Sequence, residues 1–205
     1  MPLIIRVDGR AFHTLTRNSD KPFDEKIQYG MRCVAYGLFN EVQGSKFVYQ
    51  QSDEVSLLVT NYDKLETESW FGNNLQKIVS LSASIATESF YSGAEKLAHF
   101  DARAFIIPKE EVCNYFVWRQ NDCVKNAISG YAQVFFSPKQ LDGKNQDERL
   151  RMIESIGESW NAVHPMYKYG YGYHQYDGNR THETRLPLFR HDRNFIERFI
   201  FLGGE

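Results

Sequence analysis

The order of six short segments in the first half of the chain constrains the fold most. Leu3-Ile4-Ile5-Arg6-Val7 reads as a buried strand, ended by Asp8-Gly9. Lys21-Pro22 marks a loop. Ile27, Met31, Val34, Leu38 and Val42 then recur every three to four residues, the spacing of a helix over about 24–42 that Gly44 stops. Residues 46–50 and 55–60 are β-rich runs around Gln51-Ser52-Asp53-Glu54, the pattern of a hairpin. Phe71, Leu75, Ile78, Val79, Ile85 and Ala86 predict a second helix over about 69–91. Residues 103–107 read as a fourth strand that Pro108 stops. The order β-α-β-β-α-β is that of the split βαβ, or ferredoxin-like, unit, so the chain is read as α+β with its core in residues 1–107.

Residues 108–205 read as an extension packed on that core. A helix is expected over 109–135, with a break near Gln120. Leu150, Ile153, Ile156 and Trp160 predict another helix after a polar turn around residues 142–145. From His164 to Arg198 there are six Lys or Arg, four His and five Tyr, a mixture that suits stacking on single-stranded RNA ends.

A chain of 205 residues fits one domain with an extension. Hydrophobic residues at 42% and charged residues at 24% exclude a disordered chain. The formal net charge of −2 excludes a globally basic nucleic-acid binder, though not a local basic patch. No apolar run is long enough to span a membrane. Cys33, Cys113 and Cys123 are odd in number and lack C-x-x-C spacing, which argues for free thiols in a reducing, cytoplasmic setting.

The topology places chemistry as well as strands. In a split βαβ sheet the third strand lies between the first two and runs antiparallel to both. Asp8, after the first strand, and Asp53, before the third, are therefore expected to meet at one sheet edge. Two carboxylates there repel unless a cation joins them. Hard oxygen ligands suit Mg²⁺, and two such ions can clamp the attacking and leaving oxygens of a phosphoryl transfer. From spacing alone, both residues also fit ordinary turn positions. Glu54 is expected to face away from Asp53, because strand side chains alternate.

The residues at these places resemble a known family. Val7-Asp8-Gly9-Arg10-Ala11-Phe12-His13, Lys21-Pro22 and Gln51-Ser52-Asp53-Glu54 look like the tRNA-His guanylyltransferase family. Phe100-Asp101-Ala102-Arg103, Trp118-Arg119-Gln120-Asn121-Asp122-Cys123 and Pro165-Met166-Tyr167-Lys168-Tyr169-Gly170 extend the likeness. The resemblance implies a polymerase-palm-like core and nucleotide addition to an RNA 5′ end in the 3′-to-5′ direction. It also implies that Asp8 and Asp53 are catalytic carboxylates and hold Mg²⁺ with the backbone carbonyl of Gly9. Asp8 to His13 (through Arg10, Ala11 and Phe12), Ser52, Asp53 and Lys77 match nucleotide-binding positions, and Lys21 matches a lysine of 5′-end activation. Arg103, Arg119, Asn126 and Lys168 are the candidate RNA contacts.

The implied partners are tRNA or a similar structured RNA, with ATP and GTP as substrates and a homotetramer sharing the RNA. The implied reaction caps a 5′-monophosphate with a nucleotide. The 3′-hydroxyl of an incoming NTP then attacks that activated end, and pyrophosphate leaves from the 5′ end when another cycle follows. The chain departs from the eukaryotic pattern at Val124-Lys125-Asn126-Ala127, where His-Ile-Asn-Asn is usual, and at Asn73 and Asn74, where arginines are usual. The departures favour the guanylyltransferase-like branch, which resembles template-dependent repair enzymes for RNA 5′ ends, over guanylate addition to tRNA-His. Two rival readings are a palm-type cyclase or signalling synthase and a non-catalytic RNA-binding relative.

Overall fold

The computed structural model describes residues 1–62, 66–176 and 178–200. Strand β1 (Leu3–Gly9) leads through a short helix α1 (Phe12–Leu15) to helix α2 (Glu25–Glu41). The hairpin β2 (Ser45–Gln51) and β3 (Glu54–Val59) follows, then helix α3 (Leu75–Ala94) and strand β4 (Phe100–Ile106). Next come helices α4 (Lys109–Phe135), α5 (Pro138–Leu141), α6 (Gln146–Ser155) and α7 (Pro165–Tyr169). Strands β5 (Tyr171–Tyr176) and β6 (Asn179–Glu183) and a short helix α8 (Asn194–Glu197) complete the order.

The six strands form one sheet in the order β4-β1-β3-β2-β5-β6. All five pairings are antiparallel, and β3 lies between β1 and β2. The first four strands thus have the ferredoxin-like order that the segment pattern predicts. Alternation along each strand makes two cores. Ile5, Val7, Val48, Val55 and Leu57 pack under α2 and α3, whereas Ile4, Phe47, Tyr49 and Leu58 pack under α4 and residues 186–200. On the second face, Phe199 stacks on Phe47 with ring centres 5.2 Å apart, and Phe116, Phe189 and Phe195 meet the same ring edge-on.

Helix α2 forms where its stripe predicts. Ile27, Met31, Val34 and Leu38 are buried, and burying a side chain of this kind contributes roughly 1.5–3 kcal/mol. Its N-cap is Asp24, whose side chain accepts from the Ile27 amide at 2.9 Å. That bond holds the Asp24 carboxyl below its ordinary range.

Three expectations need correction. The second helix does not begin at residue 69: Trp70–Asn73 is a 3₁₀ turn, and Asn74 caps α3 by accepting from the Lys77 amide at 3.1 Å. Helix α4 does not break near Gln120. The Gln120 side chain is buried and fully used, donating to the Pro187 carbonyl at 2.8 Å and accepting from the Phe189 amide at 2.7 Å. The polar stretch is therefore an inward-facing tether for residues 187–189. Helix α6 stops before Ile156 and Trp160, because Gly157 adopts a left-handed φ of 83°.

Candidate functional site

The two aspartates meet at the end of β1. Asp8 is the penultimate residue of β1, and Asp53 sits in the tight turn between β2 and β3. The Gly9 amide donates to the Asp53 carbonyl at 3.0 Å, which fixes the two loops to each other. Burial pushes the Asp53 carboxyl above its ordinary range, and the negative charge of Asp8 raises it further.

The register adds a carboxylate and a guanidinium that the sequence alone did not reveal. Asp8 pairs across the sheet with Glu54, so the two side chains share a face. An Arg6 nitrogen lies 3.1 Å from Asp8 and 2.7 Å from Glu54. Glu54 is also gripped by Arg119, through two bonds of 2.7 and 2.6 Å. Glu54 is thus a buried strut beneath the aspartates. The signal for Arg6 was its period-two spacing from Asp8 on an otherwise apolar strand.

The loop after β1 is held tightly. The Arg10 amide donates to the His99 carbonyl at 2.8 Å. Ala11 has a left-handed φ of 56°, and Ser52, beside Asp53, has one of 49°. Non-glycine residues in this region mark local strain of the kind stored at functional sites. Phe12 packs edge-on against Phe90 and Phe100, so its ring belongs to the core. The Thr14 and Leu15 amides at the start of α1 both donate to the Ala11 carbonyl, at 2.9 and 3.2 Å. His13 is exposed beside Thr14.

A cavity of about 390 Å³ opens at Asp53, while Asp8, Gly9, Arg10 and Ala11 stand outside its lining. Phe12, His13, Lys21 and Asp24 line one wall, Gln50 to Asp53 the floor, and Cys123, Asn126 and Ala127 of α4 the far wall. Met166 and Tyr167 close it from α7, where the Tyr167 ring stacks on Phe23 at 4.3 Å and its hydroxyl bonds Glu25. Lys21 reaches back to the Thr16 carbonyl at 3.2 Å. Met166 is shared with a shallower groove that holds Tyr29, Arg32, Tyr36, His164 and His182.

Other candidate residues fall elsewhere. Arg119 is 4% exposed and spent on Glu54 and Asp122, so it is a structural ion pair and not an RNA contact. Lys168 is 6% exposed; its ammonium donates to the Trp160 carbonyl at 3.3 Å and lies over the Trp160 ring. It too is removed from the surface. Arg103 is exposed on the edge strand β4. Lys77 lies over Phe71, beside a recess that joins Trp70 to Leu3. Leu3 opens β1 and Asp8 nearly closes it, so the strand alone separates the two ends by roughly 17 Å. Within this chain Lys77 does not join the cavity residues.

Residues 1–108 match the family model for tRNAHis guanylyltransferase. The chain belongs to this family. Its relatives include a tRNA(His) guanylyltransferase of Schizosaccharomyces pombe, 30% identical over 192 residues that span 82% of this chain and 71% of that protein. A bacterial tRNA(His) guanylyltransferase (Thg1)-like protein solved in complex with ATP is 41% identical, with a TM-score of 0.94 over 98% of this chain and 91% of its own. The counterpart in complex with GTP is 38% identical, with a TM-score of 0.82 over 98% of this chain and 90% of its own. The relationship makes the chain a nucleotidyltransferase with the palm-like fold of the family. No helix among the described residues is long and apolar enough to cross a membrane.

Proposed function

We propose that this nucleotidyltransferase adds nucleotides to the 5′ end of tRNA or a similar structured RNA, in the 3′-to-5′ direction and under template control. The observation that carries the reading is one cavity that gathers Lys21, Ser52, Asp53, Asn126 and Ala127. ATP and GTP are the nucleotides found with the two bacterial neighbours, and both are proposed substrates here.

The donor set fits Mg²⁺. Asp8, Asp53 and the Gly9 carbonyl offer only hard oxygens, and burial, with the charge of Asp8 added to it, raises the Asp53 carboxyl, a setting that a cation would relieve. These residues would hold one or two ions. Bound there, Mg²⁺ supplies charge stabilisation for the oxygens that attack and leave in an in-line phosphoryl transfer.

The chain's own groups do the rest. Lys21 places an ammonium at the cavity wall, where it offsets the charge of an RNA 5′-phosphate and an NTP brought together for activation. The Phe23–Tyr167 stack and Met166 cover the cavity and keep water from the activated end. The Gly9–Asp53 tie holds the carboxylates fixed, so positioning supplies much of the rate. The same reading gives a cytoplasmic enzyme that works as a homotetramer, with the aromatic and basic groove along Tyr29, Arg32 and Tyr36 as the path of the RNA strand.

Template control is supported by Ala127. Its methyl group stands on the cavity wall and offers no side-chain hydrogen bond. Selection of the incoming base then rests on pairing with the opposite strand. The test uses tRNA lacking its first nucleotide, with all four bases placed opposite the vacancy, on tRNA-His and on a second tRNA. Addition of the complementary nucleotide in both tRNAs is expected. G addition confined to tRNA-His would instead establish guanylate addition, the reading that the relatives' names favour.

A further inference from the structure

The outer side of α4 carries an aromatic ring open to solvent. Trp118 is 55% exposed. The Arg119 guanidinium lies over its ring at 4.3 Å and the Tyr115 ring meets it edge-on at 6.0 Å, so its open face looks outward. Asn121 and Lys125 follow at three and seven residues, both exposed, and this spacing puts all three on one stripe of the helix. Asp122, on the same side, is spent on Arg119 at 3.1 Å, which leaves Lys125 to set the charge of the stripe. Asn126, next to Lys125, belongs to the far wall of the cavity at Asp53. The stripe therefore runs from open surface into the cavity. A single exposed ring is ordinary; its alignment with a cation and with the cavity is not.

We propose that this stripe binds the unpaired end of the RNA strand opposite the growing 5′ end, with Trp118 as the platform on which one of its bases stacks and Lys125 offsetting a phosphate. The inference rests on the cavity being the site of nucleotide addition to RNA. An RNA that lacks its 5′ nucleotide leaves the opposite strand unpaired at that end, and this strand needs its own way out. The groove along Tyr29, Arg32 and Tyr36 lies against α2, whereas α4 packs on the opposite face of the sheet. The two strands thus have separate paths that meet at the cavity. From Trp118 to Asn126 is eight residues, roughly 12 Å of helix. Successive nucleotides of a stacked strand advance about 3.4 Å, so the ring stands about three to four nucleotides from the base in the cavity. A base inside a duplex has both faces covered, whereas an unpaired base offers one to the indole. Such stacking tolerates any base, so Trp118 holds the template strand and leaves the choice of nucleotide to pairing in the cavity.

The test uses the full chain and hairpin RNAs that are one nucleotide short at a 5′-monophosphate end, with the 3′ strand overhanging by one or by five nucleotides. Tryptophan fluorescence reads the contact, because stacking on a base quenches the indole. The long overhang is expected to quench the wild-type chain, and Trp118→Phe, which keeps Trp70 and Trp160, is expected to lose the quench. KM for the long-overhang RNA is expected to be lower than for the short one by about fivefold or more, with kcat alike. Trp118→Ala is expected to erase that difference and Trp118→Phe to restore most of it. Equal quenching and equal KM for the two overhangs in the wild-type chain overturn the proposal with no variant needed. So does a quench that survives in Trp118→Phe, or a Trp118→Ala defect equal on both RNAs, which would mark a structural role. A Trp118→Ala chain that changes its assembly mass and keeps its overhang dependence overturns it too, and makes the ring a contact between copies of the chain. Failure to extend any RNA would overturn the proposed reaction as well, whereas extension indifferent to the overhang overturns the Trp118 platform alone.

Discussion

The Gly9 amide donates to the Asp53 carbonyl at 3.0 Å, so the backbone itself ties the two halves of the carboxylate pair together. The side chains of Asp8 and Asp53 can therefore be changed without undoing the link that positions them. Asp8→Ala and Asp53→Ala are expected to abolish nucleotide addition while the melting transition remains cooperative. Activity within tenfold of wild type in either variant would remove that residue from the chemistry.

Asp53 also predicts a pH dependence. Burial raises its carboxyl above the ordinary 3.8, so the folded chain binds that proton more tightly than the unfolded chain. Stability then falls as pH rises from the ordinary value through the raised one, and the whole penalty is present at neutral pH. Asp53→Asn is expected to raise Tm at pH 7, by about 2–4 °C for each kcal/mol relieved, even as it removes activity. The gain should shrink toward pH 3. A Tm that falls equally at both pH values would contradict the assignment.

Gly9 has a second constraint. A Cβ at this position would lie 2.2 Å from the Phe12 ring. Gly9→Ala must therefore displace Phe12 from Phe90 and Phe100, at a cost of about 1–3 kcal/mol, and move the loop that carries Ala11 and His13. Nucleotide addition is expected to fall by more than the loss of folded protein explains, as measured by kcat on samples matched for folded fraction.

The buried pair of Glu54 and Arg119 predicts a stability loss. Arg119→Ala leaves the Glu54 carboxylate in the interior with Arg6 and the Ser56 hydroxyl beside it, and breaking such a pair costs about 3–5 kcal/mol. Denaturant unfolding should show that loss. RNA affinity per folded molecule should stay unchanged, and a drop in affinity at constant stability would return Arg119 to the RNA-contact role.

Lys21→Ala is expected to slow activation of a 5′-monophosphate RNA more than extension of a matched RNA that already carries a 5′-triphosphate. Lys21 stands at the cavity wall with its ammonium on the Thr16 carbonyl, close enough to turn to a phosphate. Equal losses on the two RNAs would make it a general phosphate ligand.

Much of this is legible in the sequence because the signals are local. The period-two and period-3.6 stripes fixed four strands and two helices, and their order alone brings Asp8 beside Asp53. What was hidden depends on partners distant in sequence. Arg119 reads as a surface charge until Glu54, 65 residues away, is seen to meet it. Lys168 reads the same way, although the Trp160 ring covers it. Gln120 looks like a helix breaker because its two acceptors and its donor lie beyond residue 168. Lys77 follows a family pattern in sequence, yet the direction of α3 carries it to the other end of the sheet. The far wall of the cavity was equally unreadable, since no periodicity says where α4 crosses the sheet.

The stacking of Phe199 on Phe47 has a consequence for biosynthesis. Strand β2 leaves the ribosome early and meets Phe116 of α4 midway, but the other rings that cover its second face belong to residues 189–199. At 5–20 residues per second, roughly 8 to 30 s of translation separate the two partners. Through that interval the nascent hairpin can pack against α2 and α3 on one side while Phe47 and Tyr49 have only α4 on the other. The sheet is thus finished from one face first, and the growing chain carries a half-covered aromatic surface until α8 arrives.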